Sequence, residues 1–280
     1  MKILIIGGKS SLGMELKQTL TPNHEVITAG RGDCDVYIDL SLSLDLNINI
    51  ECDVVVLTAA KFGGDDFPSF EDNVNINVVG TVRAIEMAKK MKAKHFLLIS
   101  SMSALQDSRS PFYGIYSITK RQSEEVAEFV CNSINMPLTI LRPSQLYGEN
   151  ESFKRHQPLI YSIIHSVMHN EEITFYGKHN AIRNYLHVTD FNEIIRRVID
   201  LKVEGKYDCV NTQSTSLIDV AKAAIDAFKS NSKYQFVVSK KDIIDNSFEA
   251  DVSFYKKINF QPIITIEAGM RRIANSKGIK

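Results

Sequence analysis

The sequence is poor in the residues and patterns that would call for an unusual fold or setting. It has four cysteines, Cys34, Cys52, Cys131 and Cys209, and none stands in a C-x-x-C or metal-ligand spacing. This argues against a zinc site or a disulfide framework. The four read as reduced packing residues, and a reducing cytoplasm is the natural compartment. The chain has no net charge, with 33 Lys and Arg against 33 Asp and Glu. No basic field therefore speaks for nucleic acid or for an anionic membrane surface. No apolar run approaches membrane-spanning length. The first residues, one lysine and four apolar side chains before a pair of glycines, are too few for a signal peptide. Repeats and low-complexity tracts are also missing.

What remains is an ordinary globular composition. The chain has 280 residues, 44% apolar and 24% charged, enough for one large domain or two joined ones with a sizeable core. Short apolar runs at 2–6, 25–28, 37–40, 53–57, 95–99 and 138–141 read as strands. Patterns at 11–20, 70–92 and 116–132 read as helices, the first stopped by Pro22. This alternation predicts an α/β fold, a doubly wound parallel sheet of Rossmann-like type. After Gly148 the pattern loosens. Helices are expected at 159–168, 189–200 and 217–229, and strands at 173–176 and 207–211. Residues 1–150, with returning segments near 178–212, are read as a dinucleotide-binding domain. Residues 151–280 are read as mainly a smaller C-terminal substrate lobe.

The first strand runs straight into Gly7-Gly8-Lys9-Ser10-Ser11-Leu12-Gly13. Gly7 permits a tight strand-to-helix turn, a small Ser10 lets a pyrophosphate approach the backbone, and Gly13 lets the helix pack close. The N-terminus of that helix offers N–H groups and a positive dipole end to phosphates. The end of the second strand bears on the cofactor. It reads Thr28-Ala29-Gly30-Arg31, with glycine where a ribose-binding acid usually stands. A guanidinium there suits a 2′-phosphate, so NADPH is favoured, while the nearby Asp33 keeps NAD open. Asp39, with Leu40 beside it, is a candidate for the adenine amino group.

Tyr116 and Lys120 lie four apart on a predicted helix and share a face. An ammonium beside a phenol favours the phenolate, so a lowered tyrosine pKa is expected. The phenol would exchange a proton with a carbonyl oxygen as hydride reaches its carbon. Ser101, at the end of a predicted strand, can hydrogen-bond the same oxygen. Ser103 is a candidate substrate contact, whereas Ser100 is expected to face away.

With these motifs the chain resembles the extended short-chain dehydrogenase/reductase family of sugar-nucleotide epimerases, dehydratases and reductases. Further segments carry the likeness: Thr58-Ala59-Ala60, Asn77-Val78-Val79-Gly80-Thr81, Leu141 through Gly148 (LRPSQLYG), and Arg183 through Asp190 (RNYLHVTD). The resemblance implies that Thr58, Ala59 and Ala60 line the cofactor, that Asn77 orders backbone or water at the site, and that Pro143 and Ser144 lie beside the nicotinamide. It implies that Arg183 contacts a substrate diphosphate, that Asp190 caps the following helix, and that His187 is structural. A homodimer through helices near 70–92 and 116–132 is implied as well.

The chain also departs from the family. Met102-Ser103 follow Ser101 where the dehydratases carry Asp-Glu, so water elimination has no evident acid and base. Ser10 replaces the middle glycine of the usual turn, and the Ser101-to-Tyr116 spacing of fifteen residues is short. The reading is an NADPH-dependent keto reductase of a nucleotide sugar, with a 4-keto sugar favoured, in which Tyr116 protonates the oxygen beside the cofactor, Lys120 lowers the tyrosine pKa and holds the nicotinamide ribose, and Ser101 polarises the carbonyl. The alternatives are an NAD-dependent sugar-nucleotide epimerase and a catalytically silent NAD(P)-binding regulator.

Overall fold

The computed structural model describes residues 1–42 and 50–279. They divide into two compact units, Met1–Pro143 with Asn192–Cys209, and Ser144–Phe191 with Val210–Lys280.

The first unit is built on a parallel sheet that has seven strands among the described residues. They are β1 (Lys2–Ile6), β2 (Glu25–Gly30), β3 (Val36–Tyr37), β4 (Val54–Leu57), β5 (His95–Ile99), β6 (Leu138–Pro143) and β11 (Gly205–Cys209). The spatial order is β11-β6-β5-β4-β1-β2-β3, so the winding reverses between β1 and β4. Such a switch point opens a crevice at the carboxyl ends of the strands, where ligands of open α/β sheets bind. β1, β4 and β5 are buried along nearly their whole length. Helices on both faces account for this, and it is why these strands read as unbroken apolar runs. On one face Leu4, Ile6, Val55, Leu57, Phe96 and Leu98 pack with Ala84, Ile85, Ala88 and Ala127. The small residues let the helices sit close.

Among the described residues the helices of this unit are α1 (Ser11–Leu20), α2 (Phe67–Asn73), α3 (Gly80–Lys90), α4 (Ile115–Ser133) and, from Asn192 on, α6 (Val188–Leu201). A π-helical turn, Val74–Val79, joins α2 to α3. The single helix expected over 70–92 is therefore two α-helices joined by a wider turn. Asn73 and Asn77 flank the change, their amides turned inward to bond the carbonyls of Gly63 and Lys61 in a loop and Thr119 of α4.

The second unit holds three two-stranded pairs. β7 (Gln145–Tyr147) pairs parallel with β10 (Tyr185–His187), and β8 (Ile173–Tyr176) pairs parallel with β13 (Tyr234–Val237). β9 (Ile182–Arg183) runs antiparallel to β12 (Thr215–Ser216). Its helices are α5 (Pro158–His169), the start of α6 (Val188–Leu201), α7 (Leu217–Phe228), α8 (Val252–Lys257) and α9 (Ile266–Ser276). α7 packs on both α5 and α9. Asp190 was expected to cap a helix beginning after it. α6 instead starts at Val188, and the buried Asp190 carboxylate accepts from Ile263 and Ile264 N–H at 3.0 and 2.8 Å. No helix among the described residues is long and apolar enough to cross a membrane.

Candidate active site

The glycine-rich turn is clamped between two strand ends. Gly7 and Gly8 N–H both donate to Ala29 O of β2, at 2.8 and 3.1 Å. Thr58 Oγ1, just past β4, donates to Ile6 O at 3.0 Å and lies 3.2 Å from Ser10 Oγ. Ser10 caps α1, accepting from Gly13 N–H at 3.0 Å. No side chain fits here: a Cβ on Gly7 would stand 2.5 Å from Ala59 N, and one on Gly13 would stand 2.2 Å from Gly7 O. With Ser10 as the cap, the Ser11 and Leu12 N–H groups have no helical acceptor and point out of the first turn of α1. Bare backbone, a small cap residue and open helix N–H groups form a cradle that fits a dinucleotide pyrophosphate. The Ser144 hydroxyl, at the first residue past β6, is buried with no hydrogen-bond partner among the described residues, as a group awaiting a ligand would be.

Around the ribose end, Arg31 is exposed and Lys9 Nζ pairs with Asp33 at 3.1 Å. Asp39 accepts from Ser41 N–H and Oγ at 2.9 and 2.6 Å. This pair of bonds, with Arg31 and Arg83 nearby, holds its carboxyl below the usual range. Arg83 Nη1 donates to Leu40 O at 2.5 Å. Asp35, which the sequence did not single out, accepts from Thr28 N–H and Oγ1 at 2.8 and 2.6 Å and fixes the end of β2. Its signal is faint because one carboxylate in a loop looks like any other.

The reactive hydroxyls meet where β5 ends. Ser101 caps the short turn Met102–Leu105, its Oγ accepting from Ser103 N–H at 3.1 Å, and its side chain stands near enough to the Tyr116 hydroxyl to favour the phenolate. Lys120, one turn along α4, is 2% exposed and donates to Ile99 O at 2.7 Å. The expected lowering of the tyrosine pKa is not found. Burial drives it well above the ordinary phenol value, opposed only by the Ser101 side chain. The ammonium that should have lowered it is itself desolvated. Burial pulls Lys120 down to about 8, with the Glu124 carboxylate acting in the opposite direction.

Glu124, a further turn along the same face, is the residue the sequence reading missed. It is buried and accepts from Ser100 Oγ and from Arg142 Nε and Nη2, the latter two at 2.9 and 2.5 Å. The clue was available, since Tyr116, Lys120 and Glu124 repeat every four residues on one helix. Asn77 grips the loop after β4: its Oδ1 accepts from Lys61 N–H at 2.8 Å, and its Nδ2 faces Lys61 O at 2.9 Å and Thr119 Oγ1 at 3.0 Å. Gly7, Gly8, Ser10–Gly13, Thr58 and Ala59 thus gather at one place, and Ser101, Tyr116 and Lys120 at another, both at the carboxyl edge of the same sheet. Arg183 belongs to the second unit. Its buried guanidinium donates from Nη1 to Ile244 O and Ile182 O.

The fold and the family match make the chain a nicotinamide-dependent oxidoreductase of the extended short-chain dehydrogenase/reductase type. Residues 3–211 match the NAD dependent epimerase/dehydratase family, and the chain belongs to it. It is 24% identical over 217 residues to a putative UDP-glucose 4-epimerase of Methanocaldococcus jannaschii, covering 72% of this chain and 68% of that protein. Across three curated relatives the matches span from 44% to 68% of the relative's length. Among solved structures, UDP-glucuronic acid 4-epimerase from Bacillus cereus in complex with NAD superposes with a TM-score of 0.82 at 18% identity, covering 99% of this chain and 96% of that one. RMD from Pseudomonas aeruginosa, complexed with NADPH, superposes with a TM-score of 0.79 at 16% identity, covering 98% of both. At such identities the likeness speaks for the fold.

Proposed function

We propose that the chain is an NAD-dependent epimerase of a nucleotide sugar, inverting a carbon that carries a hydroxyl. The carrying observation is the placing of Ser101, Tyr116 and Lys120 together past the end of β5, on the unit that also bears the glycine cradle. A bound nicotinamide would accept hydride from the sugar carbon and return it. The protein's task is the proton on the sugar oxygen. Tyr116 exchanges that proton, and Ser101 orients the phenol and steadies the oxygen while it is a carbonyl. Lys120 fixes the end of β5 and sets the local charge. The cradle and Thr58, Ala59, Ala60, Asn77, Pro143 and Ser144 are assigned to the cofactor. Ser103, Arg183 and the second unit are assigned to the nucleotide sugar. The missing acid–base pair after Ser101 counts against a dehydratase. Kinship with named 4-epimerases favours epimerisation over one-way reduction.

One observation favours a second reading, a keto reductase using NADPH. β2 ends in Gly30-Arg31 without a carboxylate. A single experiment separates the two. The protein is denatured and its nucleotide released, and in parallel a panel of UDP- and dTDP-sugars is incubated with no added cofactor and a 4-keto nucleotide sugar is incubated with added NADPH. Co-purified NAD and inversion without added cofactor are the expected result. Consumption of one NADPH per sugar would transfer the reading to the reductase, and inactivity in both arms would reject it. We further infer a homodimer through α3 and α4, where Phe129 is 77% exposed, and a monomeric mass in solution would refute that.

A further inference from the structure

Phe62 stacks on the ring of Tyr116, with centroids 4.7 Å apart and planes 20° from parallel. It is 46% exposed, so much of the ring faces outward. An exposed phenylalanine by itself means little. Here, however, the residues on either side of it are held by two buried asparagines. Asn77 takes both the N–H and the C=O of Lys61. Asn73 donates to Gly63 O at 2.8 Å. Gly64, at φ +117°, lies against α2 so tightly that a Cβ would stand 2.2 Å from Ser69 Cβ. Asn73 and Asn77, four apart at the end of α2 and in the π-helical turn, both face this loop. Phe62 is thus pinned on its two flanks and set over the reactive phenol.

The cations on the adjoining segments are already engaged. Lys61 Nζ pairs with Asp72 at 2.8 Å, and Arg109 with Asp107 at 2.6 Å. Arg121 donates to the Ala104 and Gln106 carbonyls. A sugar whose oxygen reaches Tyr116 therefore meets an aromatic face whose neighbouring Lys61, Arg109 and Arg121 cations are already partnered, while the buried Lys120 is bonded to Ile99 O.

We propose that Phe62 is a substrate-selecting residue, forming an apolar wall of the sugar site that favours a neutral sugar, with an apolar substituent or ring face against it, over a uronate. The proposal rests on the nucleotide-sugar reading above. A carboxylate placed there would lose its hydration without gaining a partner, whereas a methyl group or the C–H face of a pyranose would gain contact.

The test is the ratio of kcat/KM for UDP-N-acetylglucosamine or UDP-glucose to that for UDP-glucuronate in the wild type, Phe62→Ala, Phe62→Leu and Phe62→Lys, with thermal melting as the folding control. In the wild type the neutral sugar is expected to win. Phe62→Ala should cut the ratio about tenfold, the scale of one lost apolar contact. Phe62→Leu should retain most of it, and Phe62→Lys should shift it toward the uronate. A wild type that prefers the uronate, or a ratio unchanged in both the alanine and the lysine variants, overturns the assignment and leaves the functional reading standing. A wild type that turns over none of these sugars overturns both.

Discussion

The two units are held together by different means. In the first, order comes from strand beside strand. β1, β4 and β5 are continuous apolar segments whose backbone groups are satisfied by neighbours in a regular ladder. In the second, the paired segments are two to four residues long, and polar side chains reaching across the sequence do much of the joining. Asn184 and Asn211 clasp each other, Nδ2 of the first to O of the second and N–H of the second to Oδ1 of the first, both at 2.9 Å. Tyr255 OH accepts from Val210 N–H at 2.8 Å and donates to Val210 O. Glu149 pairs with Arg272 at 2.7 Å. A ladder spreads its stability over many equivalent bonds, whereas a clasp concentrates it in a few side chains, each costly to remove.

The largest expected effect lies in the first unit and concerns chemistry, not stability. Tyr116→Phe should lower kcat by about 10²–10⁴, the usual worth of a general acid–base group, with melting temperature and cofactor binding retained. A variant losing less than tenfold would remove Tyr116 from the reaction. Next come paired core substitutions that test the contrast directly. Phe96→Ala in β5 should cost about 3–5 kcal/mol by urea unfolding, with much of it regained in Phe96→Leu, because volume is what matters there. Asn184→Ala should cost about 2 kcal/mol, on the scale of stranded buried groups. Asn184→Leu should regain none of it. Recovery in that leucine variant would erase the distinction between ladder and clasp.

A pH series probes buried groups in both units. His95 in the first and His187 in the second are each pulled down to about 4, burial being the leading cause. His95 Nε2 lies 2.8 Å from Thr139 Oγ1, whose own proton goes to Val203 O, so the imidazole sits neutral as donor. Unfolding exposes both rings to protonation near pH 6.5. The unfolded chain then binds more protons, and stability should fall as pH drops from about 6.5 toward 4, by about 1.4 kcal/mol per pH unit for each ring. A flat profile across that window would contradict their burial. Lys120 acts at the other end. Its folded value of about 8 lies below its ordinary value, so its ammonium disfavours the fold at neutral pH, and stability should rise from pH 8 toward 10.5. Activity should fall over the alkaline range if the ammonium is required, and that limb should vanish in Lys120→Met.

The smallest effect expected is at Arg31. Arg31→Ala should weaken NADPH binding about fivefold and leave NAD within about twofold, the worth of one exposed charge contact. Equal changes for both cofactors would make Arg31 a plain surface residue.

How much could be read beforehand follows the same contrast. The strands at 2–6, 95–99 and 173–176 and the helix at 11–20 lie where expected, because an apolar run or a capped amphipathic turn is a local signal. The candidate strip on α4 was half visible: Tyr116 and Lys120 stand out by spacing, whereas Glu124 takes its partners from Arg142, eighteen residues on, and Ser100. Residues beyond 230 resisted reading because their strand, β13, is only four residues long and takes its partner, β8, from some sixty residues earlier.

By itself, then, the chain dictated the alternation of strands and helices, the glycine cradle and the order Ser101, Tyr116, Lys120, since each depends on side-chain period, backbone freedom or spacing within one element. Tertiary structure alone decided that the phenol is more basic than its lysine neighbour suggests, that the helix over 70–92 breaks into a π-turn, and that Phe62 lies over Tyr116. Those outcomes turn on burial and on partners remote in sequence, and desolvation exists only once the parts have come together.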